Sequence, residues 1–310
     1  MNLLKPLSNP AYVLQPSRLF QRATRALSQR DPARLETVVL PWGAKLRVCP
    51  AEVMGGILYA YGIFDLIVCE AICRLLDPAE TALDIGANIG QMTSLMRHRA
   101  GKAGRVIAFE PHPQLFAELQ HNVTALQPTH GAAPAELHNF ALSDVAGESL
   151  LDVGPAWAFN RGVSRLTSDH SSSPNPKVKV VTRMLDQVLQ DTPAIGVCKM
   201  DVEGHELSVL KGASRLLQSR RVRDIIFEDL EAYPSPVQQL LQDAGFTLFS
   251  LHTRLLKPRL APADRRVPFR LDVDGPNYLA TLDPERAVRR FSSFGWQALR
   301  KRSHHCCCAH

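Results

Sequence analysis

The stretch Asp84-Ile-Gly86-Ala-Asn88-Ile-Gly90 joins a short apolar run, Thr81 to Ile85, to a segment able to form a helix, Gln91 to Arg99. Glycines at such a place let the turn tighten and let a ligand approach the backbone closely. The spacing reads G-x-N-x-G and lacks the full G-x-G-x-x-G of dinucleotide binders. Glu110 stands 20 residues after Gly90, at the end of a second run from Arg105. An acid there can accept both hydroxyls of an adenosine ribose. Asp84 precedes the loop, where it favours a cationic group and repels a pyrophosphate. The competing reading is a structural turn plus a surface glutamate. Strand, loop, helix and acid in register favour binding.

A second constellation lies further along. Lys199 and Asp201 are two apart at the end of the run Ile195–Asp201, so they point to one side. Asp201, Glu203 and Glu206 crowd a strand end and helix start, and Glu228 and Asp229 end the next strand. Asp201 is the first candidate for a base that takes a hydroxyl proton, or for a metal ligand. Lys199 would hold it ionised, and His205 is the second candidate base. Asp201 and Glu228 could hold Mg²⁺ or Mn²⁺, since hard cations take oxygen ligands. The bland alternative has Asp201 and Glu203 capping the helix against its dipole, with Lys199 balancing them.

These residues need elements to position them, and the chain alternates strand and helix patterns. Strands are expected at 81–86, 105–110, 136–142, 195–201, 223–228, 246–251 and 277–281. Helices are expected at 91–99, 113–126, 203–218 and 236–244. The alternation predicts an α/β fold with a doubly wound, mostly parallel, seven-stranded sheet. Its ligand site would sit at the carboxyl ends of the strands. Residues 145–194 read as an insertion holding a hairpin, Ser149–Val153 with Lys177–Thr182, and a flexible flap. Trp157, Phe159, Asn160 and Arg161 would either roof a pocket or pack the hairpin onto the sheet.

The 310 residues are 45% hydrophobic and 21% charged, which excludes global disorder, collagen and coiled coil. The net charge of +6 sits at the ends: +5 in residues 1–35, +5 in residues 285–302, and −4 in the body between. The expected organisation is a basic N-terminal extension (1–46), a catalytic domain (47–284) and a basic C-terminal tail (285–310). Seven cysteines, an odd count, read as reduced and therefore intracellular, with a cytoplasmic location expected. The Arg-rich start also suits a transit peptide. The His/Cys run at residues 304–310 reads as a frayed tail rather than a metal site.

Together these motifs carry a family resemblance. Leu83-Asp-Ile-Gly-Ala-Asn-Ile-Gly90, Phe109-Glu-Pro111 and Asn139-Phe-Ala-Leu-Ser-Asp144 resemble successive motifs of S-adenosylmethionine-dependent methyltransferases with a Rossmann-like fold. Lys199-Met-Asp-Val-Glu-Gly-His-Glu206 and Val209-Leu-Lys-Gly-Ala213 are similar to the hallmark of the FkbM family. The resemblance runs from about Arg47 to Leu282. It implies O-methylation of a hydroxyl on a saccharide, glycolipid or secondary metabolite. It also implies that Asp84, Gly86, Asn88 and Gly90 line the methionine side, Glu110 the ribose, and Asp144 the adenine amino group. The departures are Met200 and His205, the second where a small residue is common. The other functional readings are a nicotinamide-dependent enzyme and a non-catalytic cofactor-binding protein. The loop spacing and Asp84 argue against the first, and the intact acids against the second. Nucleic acid is not an expected partner, because the aromatics (6%) are too few for a stacking surface. The basic ends leave peripheral membrane contact as a further expectation.

Overall fold

The computed structural model describes residues 10–15, 18, 22, 34–125, 131–154, 157, 159–162, 164–167, 175–192, 194–264 and 276–300. Most of the Arg-rich start and the whole His/Cys run lie outside them.

Eight strands form the main sheet: β1 (Thr81–Ile85), β2 (Arg105–Phe109), β3 (Ala135–His138), β4 (Ile195–Met200), β5 (Val222–Glu228), β6 (Thr247–His252), β7 (Arg259–Pro262) and β8 (Asn277–Thr281). Their order is β7-β6-β8-β5-β4-β1-β2-β3. Strands β3, β2, β1, β4 and β5 run parallel, and β8 is antiparallel to both β5 and β6. The sheet is therefore mixed. It has eight strands where the sequence pattern gave seven, because Arg259–Pro262 pairs antiparallel onto the outer edge of β6.

The apolar alternation explains why the sheet is covered twice. Ala82, Val106, Val197 and Ile226 face one core, while Leu83, Ile107, Cys198 and Ile225 face a second core. Strands buried on both faces read as continuous apolar runs, as these do. The first core holds α2 (Leu66–Leu75), α3 (Gln91–Ala100) and, near the chain end, Phe291 and Trp296. Helix α1 (Val53–Tyr61) packs beside them against a hairpin of Glu36–Val39 and Lys45–Val48. Helix α4 (Pro113–Gln120) follows β2. Helices α5 (Glu206–Lys211), α6 (Ser214–Gln218) and α7 (Pro236–Asp243) lie along the second core. Among the described residues, no single helix is long and apolar enough to cross a membrane.

Three expectations change. The strand foreseen at 136–142 is split, because Asn139 donates to the carbonyls of Glu110 and Pro111 and turns the chain. Ala141–Leu142 then joins a separate four-stranded sheet with the hairpin Gly147–Asp152 and Lys177–Arg183. The helix foreseen at 203–218 breaks at Gly212, where a Cβ would lie 2.0 Å from the Ser143 carbonyl oxygen. The third change concerns both ends. Leu40 and Leu46 of the N-terminal hairpin are buried, and Trp42 donates to Ser94 Oγ at 3.1 Å.

The C-terminal segment is likewise part of the body rather than a tail. Helix α8 (Pro284–Ser292) places Arg286 against Asp77 at 2.7 Å and Asp224 at 3.3 Å, and Arg290 against Asp77 at 2.7 Å. Arg74, 1% exposed, pairs with Glu70 at 2.6 Å and donates to Arg290 O, Ser293 Oγ and Gly295 O. Glu70 in turn accepts from the Ala298 amide at 2.8 Å. Two of the bases counted into a tail, Arg286 and Arg290, therefore neutralise acids of the fold.

Removing one partner of such a buried pair leaves the other uncompensated. Arg74→Leu is expected to lower stability by about 3–5 kcal/mol in denaturant titration and to make the segment after residue 292 sensitive to limited proteolysis.

Candidate active site

The rim at the carboxyl ends of β1, β4 and β5 collects the titratable groups. Register sets Lys199 of β4 directly beside Asp84 of β1. The Lys199 ammonium is 6% exposed and donates to the Gly86 carbonyl at 2.8 Å. It lies 3.6 Å from Asp84 Oδ1 and 3.6 Å from Asp201 Oδ2. Burial works against the ammonium, yet Asp201, Asp84, Asp65 and Glu110 outweigh it and hold Lys199 above its ordinary value. Asp84 is fully buried. Its Oδ2 accepts from Thr93 Oγ1 at 2.5 Å, while Oδ1 accepts no hydrogen bond.

The loop is shaped by what would collide with it. A Cβ on Gly86 would stand 1.9 Å from the Asp201 carbonyl oxygen, and its φ is +76°. Glycine there lets the β1 loop close onto the end of β4. Gly90 serves a different purpose. A Cβ on it would meet Leu119 Cδ1 at 2.8 Å, so its missing side chain admits α4 rather than a ligand. Asn88 adopts φ +50°, a conformation asparagine tolerates better than most residues. Its amide donates to Glu110 Oε2 at 2.9 Å. Glu110 Oε1 accepts from the His112 amide at 2.9 Å. Burial pushes the Glu110 carboxyl up to about 7, against the pull of those two amides and Lys199. Both oxygens keep lone pairs for further donors.

Beyond Asp201, whose side chain is 40% exposed, three more carboxyls crowd the rim. Glu206 Oε1 accepts from the amides of Val202 and Gly204. Glu203 sits at φ +55°, a strained conformation for glutamate. Burial, then Asp201 and Glu228, push Glu203 up to about 7. Burial, then Asp201 and Glu206, push Glu228 up to about 7. Among the described residues, no group of three or more His, Cys, Asp or Glu could hold a metal ion, so nothing in the structure supports the metal reading of Asp201 and Glu228.

Asp144 and His205 form a neighbouring group instead. His205 Nε2 lies 2.9 Å from Ser143 Oγ, and that hydroxyl is 3.0 Å from Asp144 Oδ1. Burial holds His205 below its ordinary value, with Asp144 pulling the other way. The partner of His205 is thus on the Asp144 side, not at Asp201.

Two contributions were not read from the sequence. Asp65 starts α2 in a left-handed turn and accepts from Asn277 Nδ2 at 3.4 Å, at the first residue of β8. No local pattern marks either residue. Arg161 was foreseen only as a roof residue. It is 7% exposed and bridges Glu52 at 2.5 Å and Glu118 at 2.5 Å, so it ties the insertion to α1 and α4. Nearby, Trp157 packs on His112 with ring centroids 4.1 Å apart, and the Val53 amide donates to the Phe159 carbonyl. A Cβ on Gly162 would lie 3.8 Å from Asn88 Nδ2, so Gly162 lies against the loop.

A family model described as the methyltransferase FkbM domain matches residues 84–248, just over half of the chain and all of this rim. The chain belongs to the FkbM methyltransferase family. The chain is 31% identical over 181 residues to the hexuronic acid methyltransferase AglP of Haloferax volcanii, covering 56% of this chain and 68% of that one. Methyltransferase sdnD of Sordaria araneosa is 29% identical over 196 residues, covering 54% and 73%. A solved FkbM methyltransferase from Methylobacillus flagellatus aligns with a TM-score of 0.38 and 19% identity, over 65% of this chain and 43% of that one. The protein is thus an enzyme of methyl transfer.

Raised carboxyls bind their protons more tightly in the folded chain than in the unfolded one. The contribution of Glu110, Glu203 and Glu228 to stability is then full below the ordinary value of 4.5 and is lost as pH rises through about 7, where they ionise in the fold. Thermal melting followed from pH 8 to pH 6 is expected to rise, and Glu228→Gln to reduce that rise.

Proposed function

We propose that this enzyme transfers a methyl group from S-adenosylmethionine to a hydroxyl oxygen of a saccharide. The observation that carries the reading is the Lys199 ammonium held between Asp84 and Asp201, beside the glycine loop. The residues present fit the cofactor. Asp84 Oδ1, 3.6 Å from the Lys199 ammonium, is a buried acceptor without a hydrogen bond, suited to an N–H donor of the amino-acid end. Glu110, fixed by two loop amides, is suited to the ribose hydroxyls. The Asp144 turn is suited to the adenine amino group. When bound, S-adenosylmethionine supplies a methyl group on a positively charged sulfur.

The chain's own residues then orient the acceptor and move one proton. Asp201, exposed at the rim and paired with Lys199, accepts the proton of the attacking hydroxyl. The oxygen so deprotonated would take up the methyl group that the bound cofactor supplies. Glu228 offers a second base, because a carboxyl at about 7 accepts a proton more readily than an ordinary one. Arg161 and Gly162, packed against the loop, limit its access to water. Support for a saccharide comes from AglP, which is named for a hexuronic acid.

Labelled-methyl transfer to soluble hexuronic and neutral saccharides tests the reading. Wild type is expected to label a saccharide, and Asp201→Asn to lose roughly 10²–10⁴-fold in kcat with little change in cofactor affinity. Label appearing only on amines or carboxylates would contradict it. If Glu228→Gln carries the larger loss, Glu228 is the base.

A further inference from the structure

The turn between β6 and β7 carries an exposed mixture of apolar and basic side chains. Arg254, Leu255, Leu256 and Lys257 are all exposed, and Arg259 follows at the start of β7. Leu255 is 43% exposed and Leu256 61%. The Trp296 indole donates to the Leu255 carbonyl at 3.2 Å, which fastens this turn to the segment after α8. That segment presents Phe294, 68% exposed. Large apolar side chains this open are costly in water unless something covers them.

The charge around them is of one sign. Arg254, Lys257 and Arg259 form no ion pair among the described residues, unlike Arg286 and Arg290 on α8, which neutralise Asp77. No acid occurs between His252 and Ala263, or between Ser292 and Arg302. The bases also converge. Burial, then the guanidiniums of Arg254 and Arg259, hold His252 below its ordinary value.

Topology places this patch relative to the chemistry. Strands β5 and β6 are both antiparallel to β8, so they run the same way. The turn after His252 therefore lies at the sheet end that carries Glu228 and Asp201.

We infer that Leu255, Leu256 and Phe294, with Arg254, Lys257 and Arg259 flanking the two leucines in the chain, dock this enzyme onto an anionic bilayer surface. Apolar side chains enter the headgroup boundary while basic ones meet the lipid phosphates. Charge selects the occupant, since a second copy of the patch would set like charges against each other. With the rim at the same end of the sheet, the acceptor would be a lipid-linked saccharide at that surface. That last clause rests on the proposed function, whereas the docking does not.

Co-sedimentation of the full chain with vesicles tests the inference. One set contains phosphatidylcholine alone, the other phosphatidylcholine with phosphatidylglycerol. The wild type is expected to pellet with the anionic set at low salt and to release as salt rises. Arg254→Gln with Lys257→Gln should weaken association roughly 25-fold, about fivefold for each base. Leu256→Ser with Phe294→Ser should weaken it by roughly tenfold or more. Both double variants should melt as wild type and methylate a soluble saccharide at the wild-type rate. Equal pelleting with both vesicle sets, or wild-type binding by both variants, would overturn the docking. So would a concentration-dependent dimer that the apolar variant abolishes. Absent transfer to any saccharide would instead strike the proposed function and leave the vesicle result standing.

Discussion

A buried ammonium with two carboxylates organises this molecule's working end. Lys199 reaches from the central strand β4 to the loop after β1 and touches Asp84, Asp201 and the Gly86 carbonyl. Each ion pair at 3.6 Å supplies roughly 4 kcal/mol of gross attraction at an effective dielectric of ~20. Desolvating the three groups costs several kcal/mol for each ion, so the net contribution to stability is small. What the arrangement does achieve is placement. The loop closes onto the strand end because Gly86 lacks a side chain, and the ammonium then fixes both acids relative to it.

The remaining structure serves that placement in layers. The doubly covered sheet holds β1 and β4 side by side in fixed register. Thr93 at the start of α3 fixes one oxygen of Asp84. Arg161 ties the roof to α1 and α4, on either side of the loop. At the far side, α8 and the segment after it are locked by Arg74, Arg286 and Arg290. The result is one body in which the rim faces solvent under a partial cover.

Much of this was legible in the sequence, and for definite reasons. The apolar runs ending in Asp84, Glu110, Lys199 and Glu228 showed the parallel strands and their rim, because both faces of each strand are buried. The hairpin of the insertion was legible from its alternation. The eighth strand was not, since Arg259–Pro262 is a short edge strand with little apolar pattern. The charge of the C-terminal region misled for another reason. A count of bases cannot tell that Arg286 and Arg290 find Asp77, which lies more than 200 residues earlier. His205 and Asp201 are near in sequence, yet His205 turns to Ser143 because the helix packs Gly212 against that turn.

The most direct test of the Lys199-centred seat is calorimetric titration with S-adenosylmethionine. Asp84→Asn keeps the shape of the site and removes the charge proposed to face the cofactor's cationic end. The wild type is expected to bind, and Asp84→Asn to bind at least roughly tenfold more weakly, as loss of a charged hydrogen bond implies. Equal affinities, or a wild type that binds a nicotinamide dinucleotide instead, would contradict the account.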